Sequence, residues 1–235
     1  MKRSLTWCCL IAATFLVFTS TAHASLIRDD PFVVDLGGTG FGNILTILTL
    51  QTPHEGPESG SVAWGGTTDI YSGADTKEGA PHTLTRTLNE IGWDSAEEIR
   101  IIFNVNETGS AESSTLTDLV LTIFNVDGTE VWSSGTFASD YIEDISQGTG
   151  QSGFAYKLDA SQVADLNASI PNFLDVPDYR VGLLAGIDYA DDGPDTFSVA
   201  QSLSHGEVPV PEPATVLLLG TGLVGLLGFR RKLKK

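Results

Sequence analysis

Thiols are nearly absent from this chain of 235 residues: its 2 cysteines, Cys8 and Cys9, both lie in an apolar run near the start. From residue 25 onward there can be no disulfide, no cysteine nucleophile and no cysteine metal ligand, so stability there rests on packing or bound ions. Basic residues are scarce as well. Of 13 Lys+Arg, only Arg28, Lys77, Arg86, Arg100, Lys157 and Arg180 fall between residues 25 and 208, whereas all but one of the 30 Asp+Glu do. Phosphate recognition needs clustered cations, which argues against nucleic acid as a partner; the acidity instead keeps the chain soluble and repels anionic surfaces.

Catalytic signatures are also missing. Gly37, Gly38, Gly40 and Gly42 follow an apolar strand, but the spacing is not G-x-G-x-x-G and no lysine follows. The next segment, ILTILTLQ, reads as strand rather than as the helix whose N-terminus would hold a phosphate. His54, His82 and His205 form no H-x-H or H-E-x-x-H pattern, and no G-x-S-x-G occurs. Acid pairs such as Glu97-Glu98 and Asp191-Asp192 arise by chance in so acidic a chain, although glycoside hydrolysis would need such groups. The chain is read as non-enzymatic, and it shows no repeat of fixed period.

Both ends carry addresses. Lys2 and Arg3 precede an apolar run from about Leu5 to Phe18, and Ala22-His23-Ala24 supplies an A-x-A site for signal peptidase. Residues 1–24 are expected to be a signal peptide, cut after Ala24. At the other end Pro209, Pro211 and Pro213 surround Glu212, stiffening an extended, accessible segment. An apolar block without charge follows from Ala214 to Phe229, and then a basic cluster of Arg230, Arg231, Lys232, Lys234 and Lys235 marks a cytoplasmic end.

At about 1.5 Å per residue the block rises about 24 Å, short of the roughly 30 Å of bilayer hydrocarbon. Gly220, Gly222, Gly225 and Gly228 disfavour a helix in water but are tolerated in a membrane, and snorkelling basic side chains extend the span. A marginal single transmembrane helix over 214–229 is expected, suited to a transient anchor, with 204–213 as linker and 230–235 as basic cytoplasmic tail.

Pro211-Glu212-Pro213, the glycine-bearing span and the basic tail together resemble the PEP-CTERM sorting signal of Gram-negative bacteria. The resemblance implies recognition by an exosortase, a membrane-embedded cysteine transpeptidase, cutting near the tripeptide. It further implies an inner-membrane precursor, then release or transfer to the cell surface or extracellular matrix, in association with exopolysaccharide and biofilm.

Between the signals, residues 25–203 are expected to form one domain. Ile99, Ile101, Phe103 and Val105 alternate with Arg100, Asn104 and Asn106, the period of a strand with one buried face. LVLTIFNV, then Asp127-Gly128, then EVWS reads as a hairpin. Phe154, Tyr156 and Leu158 alternate too, as do Val181, Leu183, Ala185 and Ile187. Phe197, Val199 and Leu203 suggest a closing strand, and 31–36, 44–51, 61–64 and 83–88 are earlier strands. The one helix is expected over 161–168, capped by Ser161. The fold class is therefore all-β, an antiparallel β-sandwich of jelly-roll type. EIRIIFNVN and TLTDLVLTIFNVDGTEVWSSG look similar to sandwich domains of other PEP-CTERM proteins.

Two binding features are candidates within the domain. Asp188, Asp191, Asp192 and Asp195 could hold calcium between strands, with Asp140, Glu143 and Asp144 as a second cluster, although the spacing is not that of an EF-hand. Trp64, Trp93 and Trp132 would favour carbohydrate binding if exposed on one face, and a structural role if buried. The leading expectation is an exported surface or matrix protein without enzymatic activity. The alternative is a carbohydrate-binding adhesive module, with or without calcium.

Overall fold

The computed structural model describes residues 25–35, 44–53, 55–105, 113–143, 152–190 and 193–200. The expected signal peptide, linker, membrane span and basic tail lie outside them. The described chain forms β1 (Ile27–Asp35), β2 (Ile44–Leu50), β3 (Gly56–Trp64), β4 (Asp69–Ser72), β5 (Arg86–Thr87) and the short helix α1 (Leu88–Ile91). There follow β6 (Arg100–Asn104), β7 (Ser113–Phe124), β8 (Glu130–Ser133), β9 (Asp140–Glu143), β10 (Ser152–Lys157), α2 (Ala160–Ser169), β11 (Arg180–Ala190) and β12 (Asp195–Ala200).

The strands build two antiparallel sheets, as the alternating patterns require of an all-β sandwich. The smaller has order β1-β10-β6-β12-β2. In the larger, β4-β3-β11-β7-β8 is the main path, while β5 pairs with β11 beyond the end of β3 and β9 pairs with β7 beyond the end of β8. Residues alternate between the faces of a strand, so Ile101 and Phe103 of β6, Tyr156 of β10 and Phe197 and Val199 of β12 meet Leu119, Leu121, Val181 and Leu183 of the other sheet in one core. The Phe103 and Phe197 rings stack at 4.6 Å with an interplanar angle of 6°.

Local sequence explains two departures from the expected elements. The stretch 83–88 pairs as a strand only at Arg86 and Thr87, because the Thr87 hydroxyl accepts from the Glu90 N–H while the Glu90 carboxylate accepts from the Thr87 N–H. That reciprocal cap turns the chain into α1. The later helix is capped by Asp159 rather than Ser161, with Gln162 answering Asp159 in the same manner.

Arginines lace the two sides of the sandwich. On one, Arg28 of β1 reaches the Asp140 carboxylate and the Tyr141 carbonyl of β9, at 2.7 and 3.0 Å. On the other, Arg86 of β5 donates twice to the Thr46 carbonyl of β2, both at 3.0 Å.

Candidate functional site

The outer face of the larger sheet carries a concavity. On β11 the pleat sends Val181, Leu183, Ala185 and Ile187 into the core and Gly182, Leu184, Gly186 and Asp188 to the opposite face. Ser59 of β3 and Asp118 of β7 flank Gly186; Ser61 and Val120 flank Leu184. A register shift in β7 adds Thr117 to this outward set. The hollow holds about 460 Å³, and a second of about 390 Å³ continues from Thr117 and Asp118 toward Ser133 and Phe137. Glycine keeps the floor low at Gly186, where a Cβ would stand 2.9 Å from Thr117 Oγ1.

Chemically the groove offers serine and threonine hydroxyls, which donate and accept, and the carboxylates of Asp118 and Asp188, which when ionised only accept. Among the described residues no Lys or Arg lines it. This site escapes a sequence reading because Ser, Thr and Asp at outward positions of a strand look like an ordinary solvated face. The clue available was Thr117 and Asp118 standing between Leu116 and the apolar run that begins at Leu119.

The expected ligand clusters are placed differently from one another. Asp188 is exposed beside the groove, whereas Asp195 is 1% exposed at the start of β12, in the other sheet. Asp191 and Asp192 lie outside the described residues, as does Asp144. Glu143 is exposed at the end of β9. Asp140 is committed to architecture: its Oδ2 accepts from Arg28 Nε and from Tyr156 Oη, each at 2.7 Å. Among the described residues no three His, Cys, Asp or Glu side chains stand together as a metal site. His82 is half-buried, and His54 and His205 are outside the described residues.

The tryptophans do not share an exposed face. Trp93 and Trp132 are buried in the core. Trp64 is half-buried, with the Arg180 guanidinium 4.2 Å from its ring centre and its Nε1–H donated to the Val126 carbonyl at 3.0 Å. The acid pair Glu97-Glu98 also serves the fold, since Glu98 accepts from the Asp94 N–H at 2.8 Å and Glu97 from Asn167 at 3.4 Å.

All six cations of the domain are tied to internal partners. Arg28 holds Asp140, Arg86 holds Thr46, and Lys77 donates to Gln51 Oε1 at 2.9 Å. Arg100 and Lys157 converge on Asp29, and Arg180 joins Thr85 to Trp64. Residues 209–232 match the family model of the PEP-CTERM protein-sorting motif. The chain carries a PEP-CTERM sorting motif. The match takes in Pro211, Glu212, Pro213, the apolar block and Arg230, Arg231 and Lys232. A PEP-CTERM motif marks an exported protein that transits the membrane and is processed by an exosortase. No helix among the described residues is long and apolar enough to cross a membrane, and the 214–229 block is not among them. No curated protein and no solved structure matches the chain.

Proposed function

We propose that this PEP-CTERM protein is a non-enzymatic component of the cell surface or extracellular matrix of a Gram-negative bacterium, associated with exopolysaccharide. The observation that carries the reading is the pairing of a sorting motif with a domain whose charged side chains hold its own architecture together. Asp29 and Asp140 receive cations, Glu90 and Asp159 cap helices, and Asp127 fastens the β7–β8 turn through Thr129. The test is isolation of the mature protein from its native host with mass spectrometry of both termini. The reading expects a chain beginning at Ser25, ending near Pro211-Glu212-Pro213, and recovered with the polysaccharide fraction. Recovery of the processed protein free in the medium, with no polysaccharide, would remove the association.

A second reading, carbohydrate binding by the domain itself, is favoured by the groove. Its hydroxyls suit a neutral glycan, and an anionic polymer would meet Asp118 and Asp188 without a lining cation. Titration of the host's purified polysaccharide against wild type and Asp118→Ala separates the two readings: weaker binding by the variant supports a binding module working through the groove, equal binding by both places the glycan contact outside the groove, and no binding by either supports display alone.

A further inference from the structure

Ser25, the residue that a cut after Ala24 would expose, is held firmly for a chain end. It is 9% exposed. Its backbone N–H donates to Asp159 Oδ2 at 3.1 Å, its Oγ accepts from the Ala138 N–H at 3.0 Å, and the same hydroxyl donates to the Leu26 carbonyl at 3.1 Å. Asp159 is the N-cap of α2, where its Oδ1 accepts from the Gln162 N–H at 2.8 Å and its own N–H donates to Gln162 Oε1 at 3.0 Å. The two carboxylate oxygens therefore have separate duties: Oδ1 closes the helix, and Oδ2 faces the nitrogen of Ser25. Capping alone does not need a charge, since Asn and Ser cap as well as Asp.

We propose that Asp159 is a receiver for the α-ammonium group created at Ser25 by signal-peptide removal, so that processing completes the fold. This rests on the reading of residues 1–24 as a signal peptide cut after Ala24. Hydrolysis of the Ala24–Ser25 amide consumes one water, leaving a carboxylate on Ala24 and an amine on Ser25. The amine takes a proton from the medium, because an α-amino group has a pKa of about 8. Its nitrogen already stands at hydrogen-bond distance from Oδ2, so a backbone N–H donating to a carboxylate becomes an ammonium–carboxylate ion pair, with charge on both partners, without rearrangement. Burial of Ser25 protects the pair from screening by salt. The final gain in stability thus arrives only after the chain has crossed the membrane and lost its leader.

The test is a cycle on the full-length chain, combining the processing state with the charge at Asp159. The mature form comes from the wild-type leader; the uncleaved form comes from Ala24→Phe, which is too large for signal peptidase. Each is made with Asp159 and with Asp159→Asn, which keeps a capping oxygen and removes the charge. The N-terminus is read by mass spectrometry and the unfolding midpoint in denaturant by protease resistance of the domain. The expected result is an N-terminus at Ser25, with Asp159→Asn lowering the midpoint of both forms through loss of the Oδ2 acceptor but lowering the mature form clearly more, by the lost ion pair. Asp159→Ser should repeat this pattern. Equal shifts in both forms would overturn the receiver while leaving the cut in place, and a mature N-terminus other than Ser25 would overturn the leader reading and the receiver with it.

Discussion

Asp140 Oδ2 accepts from both Arg28 and Tyr156, so one carboxylate oxygen joins β9 of the larger sheet to β1 and β10 of the smaller. Tyr156 has no exposed surface, and its ionisation is pushed far up, first by burial and then by the bond to Asp140. Replacing Asp140 by Ala takes the acceptor from a buried hydroxyl and a half-buried guanidinium, which should cost about 1–3 kcal/mol. A lowered denaturant midpoint at unchanged slope would show it, and Tyr156→Phe added to Asp140→Ala should recover part of the loss. Asp29 gives a pH signature. Burial alone raises its pKa, but the hydrogen bond from Lys157 and the Arg100 charge outweigh burial and hold it below the usual value of 3.8. A depressed folded pKa stabilises above the unfolded value and loses that stabilisation as pH falls through the folded one. Melting temperature should therefore drop on acidification below about pH 4, and less steeply in Asp29→Asn.

Elements differ in how plainly the sequence announces them. The β6, β7, β8, β10 and β11 strands carry alternation or long apolar runs, and Asp127-Gly128 marks the β7–β8 turn. The short strands β4 and β9, DIYS and DYIE, have too few residues for a period to show. Sheet order was not legible at all: β1 pairs with β10 and β2 with β12, choices made by packing over long sequence separations rather than by local pattern. The Asp159 cap was written as D-x-x-Q, but the hydroxyl of Ser161 competes for the same reading. The turn at Gly128 offers a matched test, because Gly128 and Gly79 share a left-handed φ, +89° and +84°, in different surroundings. A Cβ on Gly128 would lie 2.6 Å from Gly66 N and 3.0 Å from Trp64 O, while one on Gly79 meets nothing within 4 Å. Gly79→Ala should cost about 1 kcal/mol for the strained backbone alone. Gly128→Ala should cost clearly more, and similar midpoints for the two variants would mean that the Trp64–Gly66 loop yields freely.

At the scale of the whole molecule, charge and address act together. The domain draws its six cations into ties between elements, leaving an acid excess that is repelled by anionic surfaces. The PEP-CTERM motif at 209–232 joins Pro211-Glu212-Pro213 to a basic end, and in the proposed reading a processing enzyme reads the tripeptide while the basic end holds the span in the membrane. These parts should fail differently. Removing Arg230, Arg231, Lys232, Lys234 and Lys235 should impair insertion of the marginal span, whereas Glu212→Ala leaves hydrophobicity and positive charge intact. The most direct test is cell fractionation of the Glu212→Ala chain, followed with an antibody to the sandwich domain. The account predicts translocated but uncleaved protein accumulating in the inner membrane. Normal maturation and surface delivery of Glu212→Ala would contradict it, because the tripeptide would then be a linker and nothing more.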